Sequence, residues 1–166
     1  MSSERLELSA EKLARALDRL DEVLALPGEG PMIDATIQRF EFSFELFWKT
    51  LKRGLEEAGR SVSATPTDVL SAAWQADWLD EDEDTWIGML KDRNRTSHIY
   101  DEAGALEIYT RVPSYAPLMR RAFQSLCKRF RLAACRAPSG PSTVREKSVP
   151  CSRPSPPARR RRKRAR

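Results

Sequence analysis

Apolar side chains recur at steps of three and four through the first 132 residues, with almost no two-residue alternation and no hairpin dipeptides. That period belongs to helices with one buried face, so the sequence predicts an all-α domain and excludes a sheet-based one. Ser9 is a candidate N-cap, followed by Leu13, Ala16, Leu17, Leu20 and Leu24 on one face and Arg15, Asp18, Arg19 and Glu22 on the other. Pro27, Gly28, Gly30 and Pro31 end this helix. A second, longer helix is expected from about Ile33 to Ala58, with Ile37, Phe40, Phe44, Phe47, Trp48, Leu51 and Leu55 in its stripe and Gly59 as terminator.

Thr65, Pro66 and Asp68 supply an N-cap, a first-turn proline and a first-turn acid, so Pro66 to about Gln75 reads as a short third helix. The acidic run Asp80 to Asp84 reads as a solvated loop leading into the fourth helix, which carries Trp86, Met89 and Leu90 into a polar stretch. Two further helices are expected, Asp101 to about Val112 and Pro113 to about Ala134. Short connections between long antiparallel helices favour an up-and-down bundle of four to five helices.

Domain boundaries follow composition. From Arg136 to Arg166 the chain carries eleven Lys or Arg, one acid (Glu146) and six prolines, and it includes the basic block Arg159 to Arg164. This predicts a helical domain over residues 1–135 and a disordered basic tail over 136–166, which cannot bury enough apolar surface to offset its ordering entropy. The remaining 135 residues hold 18 basic and 23 acidic side chains, so the basic charge of the whole chain belongs to the tail. The tail reads either as an incidental extension or as a weak, salt-sensitive tether for a polyanion. Cys127, Cys135 and Cys151, with one histidine in the chain, support neither a disulfide framework nor a zinc site, so no metal and no cofactor is expected. No apolar run is long enough for a bilayer, and Met1 to Arg15 lacks a leader pattern; the expected location is the cytoplasm, without membrane association.

Chemistry concentrates in Lys91-Asp92-Arg93-Asn94-Arg95-Thr96-Ser97-His98-Ile99-Tyr100, a nearly all-polar stretch closing an apolar helix and holding the chain's one histidine. In a straight helix His98 would lie about 140° from Arg93, so the two converge only if the helix deforms near Thr96 or if two subunits pool them across a two-fold axis. An imidazole can take the proton from an RNA 2′-OH, and a guanidinium can hold non-bridging phosphate oxygens as charge builds on phosphorus. On residues alone the competing reading is a histidine serving a helix C-terminus or an interface. Arg95 is equally a phosphate ligand or a surface charge. Phe40, Phe44, Phe47 and Trp48 suit core packing, Glu41, Glu45 and Lys49 an ion-pair ladder without a catalytic role. Trp74, Trp78 and Trp86 could stack a base, although packing accounts for them better.

The stretch Ile37 to Lys52, together with Met89-Leu90-Lys91-Asp92-Arg93-Asn94-Arg95-Thr96-Ser97-His98-Ile99-Tyr100-Asp101-Glu102, resembles the small partners of minimal nucleotidyltransferases, a family of substrate-binding proteins and HepT-like toxins of the HEPN superfamily. The resemblance covers about residues 5–132. It implies a HEPN-like bundle that dimerises through the motif helix, and a metal-independent endoribonuclease marked by Arg, four residues, His, one residue, Tyr. Carried over, Arg93, His98 and Asn94 are the catalytic set, Asn94 being the polar residue that follows the arginine; on their own chemistry Arg95 and Ser97 are candidate RNA contacts. Tyr100 is the acceptor of AMP transferred from ATP by a cognate nucleotidyltransferase, the antitoxin of a type VII-like toxin–antitoxin pair. The same resemblance implies the alternative, a non-catalytic substrate-binding or regulatory subunit of a two-component nucleotidyltransferase. The partners expected are therefore that nucleotidyltransferase, an RNA substrate and a second copy of the chain.

Overall fold

Five α-helices and a closing 3₁₀ turn make up residues 4–28, 30–98 and 101–135, which are the residues the structure, a computed structural model, describes. They are α1 (Glu4–Leu24), α2 (Pro31–Glu57), α3 (Pro66–Gln75), α4 (Glu83–Thr96) and α5 (Glu102–Phe130), followed by Ala133–Cys135. The all-α bundle expected from the periodicity is the fold. Ile99, Tyr100 and the expected tail at 136–166 lie outside the described residues.

The long helix α2 is the hub. Its Phe40, Phe44, Phe47, Leu51 and Leu55 are buried, and it packs against each of the other four α-helices. Phe47 stacks on Trp86 of α4 with ring centroids 5.5 Å apart, and Phe40 stacks on Tyr115 of α5 at 5.6 Å. Phe40, Phe44 and Phe47 are therefore core, as their spacing predicted, whereas Trp48 is half-buried at the edge of that core. Burying side chains of this size supplies most of the drive for assembly, roughly 1.5–3 kcal/mol each. Gly54 permits a close approach at the far end of α2, where an added Cβ would lie 3.0 Å from both Leu126 of α5 and Trp78.

Three sequence expectations change. α1 begins at Glu4, and Ser9 is no cap: it is buried within the helix, with its hydroxyl 2.9 Å from that of Thr50 on α2. The two helices expected between Asp101 and Ala134 are one, α5, with Pro113 and Pro117 inside it. Both prolines are exposed while Ile108, Val112, Ala116 and Met119 continue the buried stripe between and around them. The carbonyls that lose an N–H partner thus face water, and the packed side holds the helix together. Cys127, buried near the end of α5, is disulfide-bonded, a crosslink that cysteine spacing did not announce. Pro66–Gln75 forms as expected, with Thr65 accepting from the Asp68 amide at 3.2 Å. Gly59 terminates α2 at φ 75°, as expected.

Candidate functional site

α4 starts on Asp82, whose carboxylate accepts from the Thr85 amide at 2.7 Å, and it buries Trp86, Met89, Leu90 and Asp92. The polar signature therefore rides on a helix anchored by a tryptophan and a methionine. The helix stops at Thr96, whose hydroxyl donates to the Arg93 carbonyl at 2.5 Å; Ser97 caps it, and the His98 amide closes a turn onto the Arg95 carbonyl at 2.9 Å. His98 thus sits beyond the helix, exposed, and its ring has no hydrogen bond among the described residues.

Two contacts join this segment to α2 in antiparallel register. Arg93 reaches Glu45 at 3.4 Å and Ser97 donates to Glu41 at 3.3 Å, each pair one turn from the other. Arg93 also donates to Asn94 Oδ1 at 3.3 Å, and its Nε is buried without a partner among the described residues. Glu45 is the busiest acid here, taking Lys49 at 2.7 Å and the Trp48 indole N–H at 3.0 Å as well. Burial works to raise its pKa, but the bonds from Lys49 and Trp48 and the charges of Lys49 and Arg93 outweigh that and hold the carboxyl below its ordinary range. The Glu45–Lys49 rung of the expected ladder is present.

On its opposite side α4 is fixed to α5 by a contact that sequence reading missed. Asp92, 3% exposed, accepts two bonds from Arg111 Nη1, at 2.9 and 3.0 Å, and one from the Tyr115 hydroxyl at 2.6 Å. Burial, with the hydrogen bond to Asp92 and its charge, pushes the Tyr115 phenol up to about 12. Arg95 pairs with Glu107 at 2.9 Å, and Glu107 with Arg111, so Arg95 is already matched by an acid on α5. The Glu107 hydrogen bond, then its charge, raises the Arg95 pKa. The signal that could have found the clasp is the four-residue step from Arg111 to Tyr115 beside the buried stripe of α5.

Beside Ser97, a cleft of about 570 Å³ opens between the first half of α2, the end of α4 and the start of α5. Asp34, Gln38, Glu41 and Thr96 supply its polar lining, Ile37 and Ala105 its apolar part. With two carboxylates and no cation in the wall, it suits a neutral or cationic group better than a phosphate. The cations able to meet a phosphate, Arg93 and Arg95, lie on the helix beside it. Tyr100, expected as the modification site, lies outside the described residues. Trp78 and Trp86 are buried and Trp74 is 38% exposed, so the first two are core.

Among the described residues, no helix is long and apolar enough to cross a membrane. The sequence is 33% identical over 92 residues to a Haemophilus influenzae protein named "Probable ribonuclease HepT", an overlap of 51% of this chain and 60% of the relative. The chain thus spans about 60% of that relative's length. A crystal structure of a Thermus thermophilus protein shares 39% identity, covering 69% of this chain and 98% of that one with a TM-score of 0.64. A second solved structure, from Haemophilus influenzae, is described as revealing the fold of a substrate-binding domain of a nucleotidyltransferase. At 22% identity, a TM-score of 0.52 and coverage of 73% of this chain and 96% of that one, it shows a shared fold. Residues 6–128 match the family described as "Nucleotidyltransferase substrate binding protein like", and the chain belongs to that family.

Proposed function

We propose that this protein is the toxin of a type VII-like toxin–antitoxin pair, a cytoplasmic, metal-independent endoribonuclease neutralised by AMP transfer from a cognate minimal nucleotidyltransferase. The observation that carries this is the ending of α4: Arg93 is anchored on the helix by Glu45, and the helix stops three residues later, leaving the His98 imidazole exposed to solvent. The name of the Haemophilus influenzae ribonuclease relative supports the same reading.

In this reaction His98 takes the proton from a ribose 2′-OH, the 2′-oxygen attacks phosphorus, and the 5′-oxygen leaves. Arg93 stabilises the charge that develops on the non-bridging oxygens, and Asn94, bonded to it, orients it. Two subunits joined through α4 would bring the imidazole of one to the guanidinium of the other across a two-fold axis. The leaving oxygen takes its proton from water, the second subunit or Tyr100. AMP on the Tyr100 oxygen, with pyrophosphate released from ATP, would add bulk and negative charge where the RNA phosphate sits.

One observation favours a second reading, a non-catalytic substrate-binding subunit: the Arg93 charge is already answered by Glu45 and that of Arg95 by Glu107. The two readings separate on expression without a nucleotidyltransferase. The nuclease reading expects growth arrest, relieved by His98→Ala and, when the partner is supplied, unrelieved in Tyr100→Phe. Equal harmlessness of wild type and His98→Ala overturns it.

A further inference from the structure

Exposed cations line the outer face of the α1–α2 hairpin, interspersed with the exposed acids Glu4, Glu11 and Glu57, in a domain whose first 135 residues hold 23 acids against 18 bases. Two contacts fix the geometry: Ser9 meets Thr50, and Ser43 donates to the Ala16 carbonyl at 3.2 Å, so the helices run antiparallel with those residues facing each other. A helical turn of about 100° per residue then puts Arg5, Lys12 and Arg15 on the outer lip of α1, and Arg39 and Arg53 on the outer lip of α2. All five are exposed, and none forms an ion pair among the described residues. Arg5 and Arg53 line one recess of about 560 Å³, shared with Glu56 and Glu57, so the two lips adjoin. Cations of this kind normally find acids in a chain so rich in them; Arg19 and Lys49, at the edges of the face, pair with Glu22 and Glu45.

Two large apolar side chains are exposed on the same face, Leu8 at 50% and Phe42 at 55%. Phe42 stands between Arg39 and Lys49, and Lys49 leads through Glu45 to Arg93. From Arg39 to Arg53 the α2 lip runs about 21 Å, enough for several nucleotides. Exposed cations flanking an isolated exposed ring, here the unpaired Arg39 on one side and Lys49 with its Glu45 partner on the other, are what a single-stranded nucleic acid uses, phosphates on the cations and a base on the aromatic face. An acidic protein partner would want a wider apolar patch than two separated side chains.

We infer that the α1–α2 face is the docking surface for single-stranded RNA, feeding it across Phe42 and Lys49 toward Arg93. This rests on the nuclease reading for its purpose, though binding can be measured apart from cleavage. The probe is a short fluorescein-labelled RNA of mixed sequence with 2′-O-methyl riboses, which lacks the attacking hydroxyl, titrated by fluorescence anisotropy with the full chain across a KCl series. The triple variant Arg15→Glu/Arg39→Glu/Arg53→Glu should bind at least about tenfold more weakly and lose about two units of salt slope, at roughly 0.7 per phosphate contact. Phe42→Ala should lose about fivefold or more in affinity at unchanged slope. The neutral triple Arg→Gln variant should lie between wild type and charge reversal, and circular dichroism should be unchanged throughout. Affinity within about twofold of wild type in all three variants overturns the inference, the RNA then being held by the basic C-terminal segment or α4. Weakened binding with no cleavage of unmodified RNA by wild type keeps the docking surface and removes the nuclease; unchanged binding with active cleavage does the reverse.

Discussion

The Tyr115 hydroxyl donates to Asp92 Oδ2 at 2.6 Å, and this bond ties the helix that carries Arg93 to the longest helix of the bundle. Asp92 precedes Arg93 by one position, so fixing its carboxylate fixes the rotation of α4 and with it the direction in which Arg93 leaves the helix. Opposite, Glu45 receives Arg93 from α2. The signature helix is held between two polar clasps.

Replacing Tyr115 with Phe leaves the buried Asp92 carboxylate short of one donor while keeping the ring stacked on Phe40. The expected loss is about 1–2 kcal/mol in urea unfolding at neutral pH. The phenol titrates near 12 in the folded chain against 10 for an ordinary tyrosine. Its contribution is therefore complete below about pH 10 and is lost as pH rises through about 12. Wild type should lose stability more steeply than Tyr115→Phe over that window; parallel pH profiles would show that the hydroxyl does not make this bond.

Glu45 gives the opposite sign. Its carboxyl is held below 4.5, so its contribution is present above that value and lost as pH falls through the lower folded value. Glu45→Gln should flatten the acid limb of the stability profile. It should also release Arg93 and lower RNA cleavage about tenfold through kcat more than KM, since the guanidinium is misplaced rather than removed. An unchanged cleavage rate would deny Glu45 its positioning role.

A side chain at Gly28 would meet the end of Tyr109 on α5, because a Cβ there would stand 1.8 Å from the Tyr109 hydroxyl oxygen. Gly28→Ala must push the ring or the α1–α2 connection aside, costing about 1–3 kcal/mol. Tyr109→Ala should remove the clash, so the double variant loses less than the sum of the singles. Strict additivity in thermal unfolding would locate the cost elsewhere.

Much of the bundle was legible because α2 and α3 carry local signals that tertiary contacts do not contradict: the Thr65-Pro66 start and the Gly59 stop require only their own turns. Ser9 misled because a serine before an apolar run suits a cap, whereas here it spans the α1–α2 contact to Thr50, and that pairing is set by residues 41 positions away. Pro113 read as the start of a separate helix, yet a proline's cost falls when its freed carbonyl faces solvent, which depends on the face it occupies. At the candidate site, the polar run with its single histidine and the family resemblance singled out Arg93 and His98 but not Asp92, which looks like one polar residue among many until Arg111 and Tyr115 close on it.

The most direct measurement is cleavage of a labelled single-stranded RNA by the purified full chain, in the presence of a chelator, beside His98→Ala and Arg93→Ala. The nuclease proposal predicts fragments ending in a 2′,3′-cyclic phosphate with wild type and a fall of at least about a hundredfold in each variant. RNA left intact by wild type, or cut equally by His98→Ala, would contradict it.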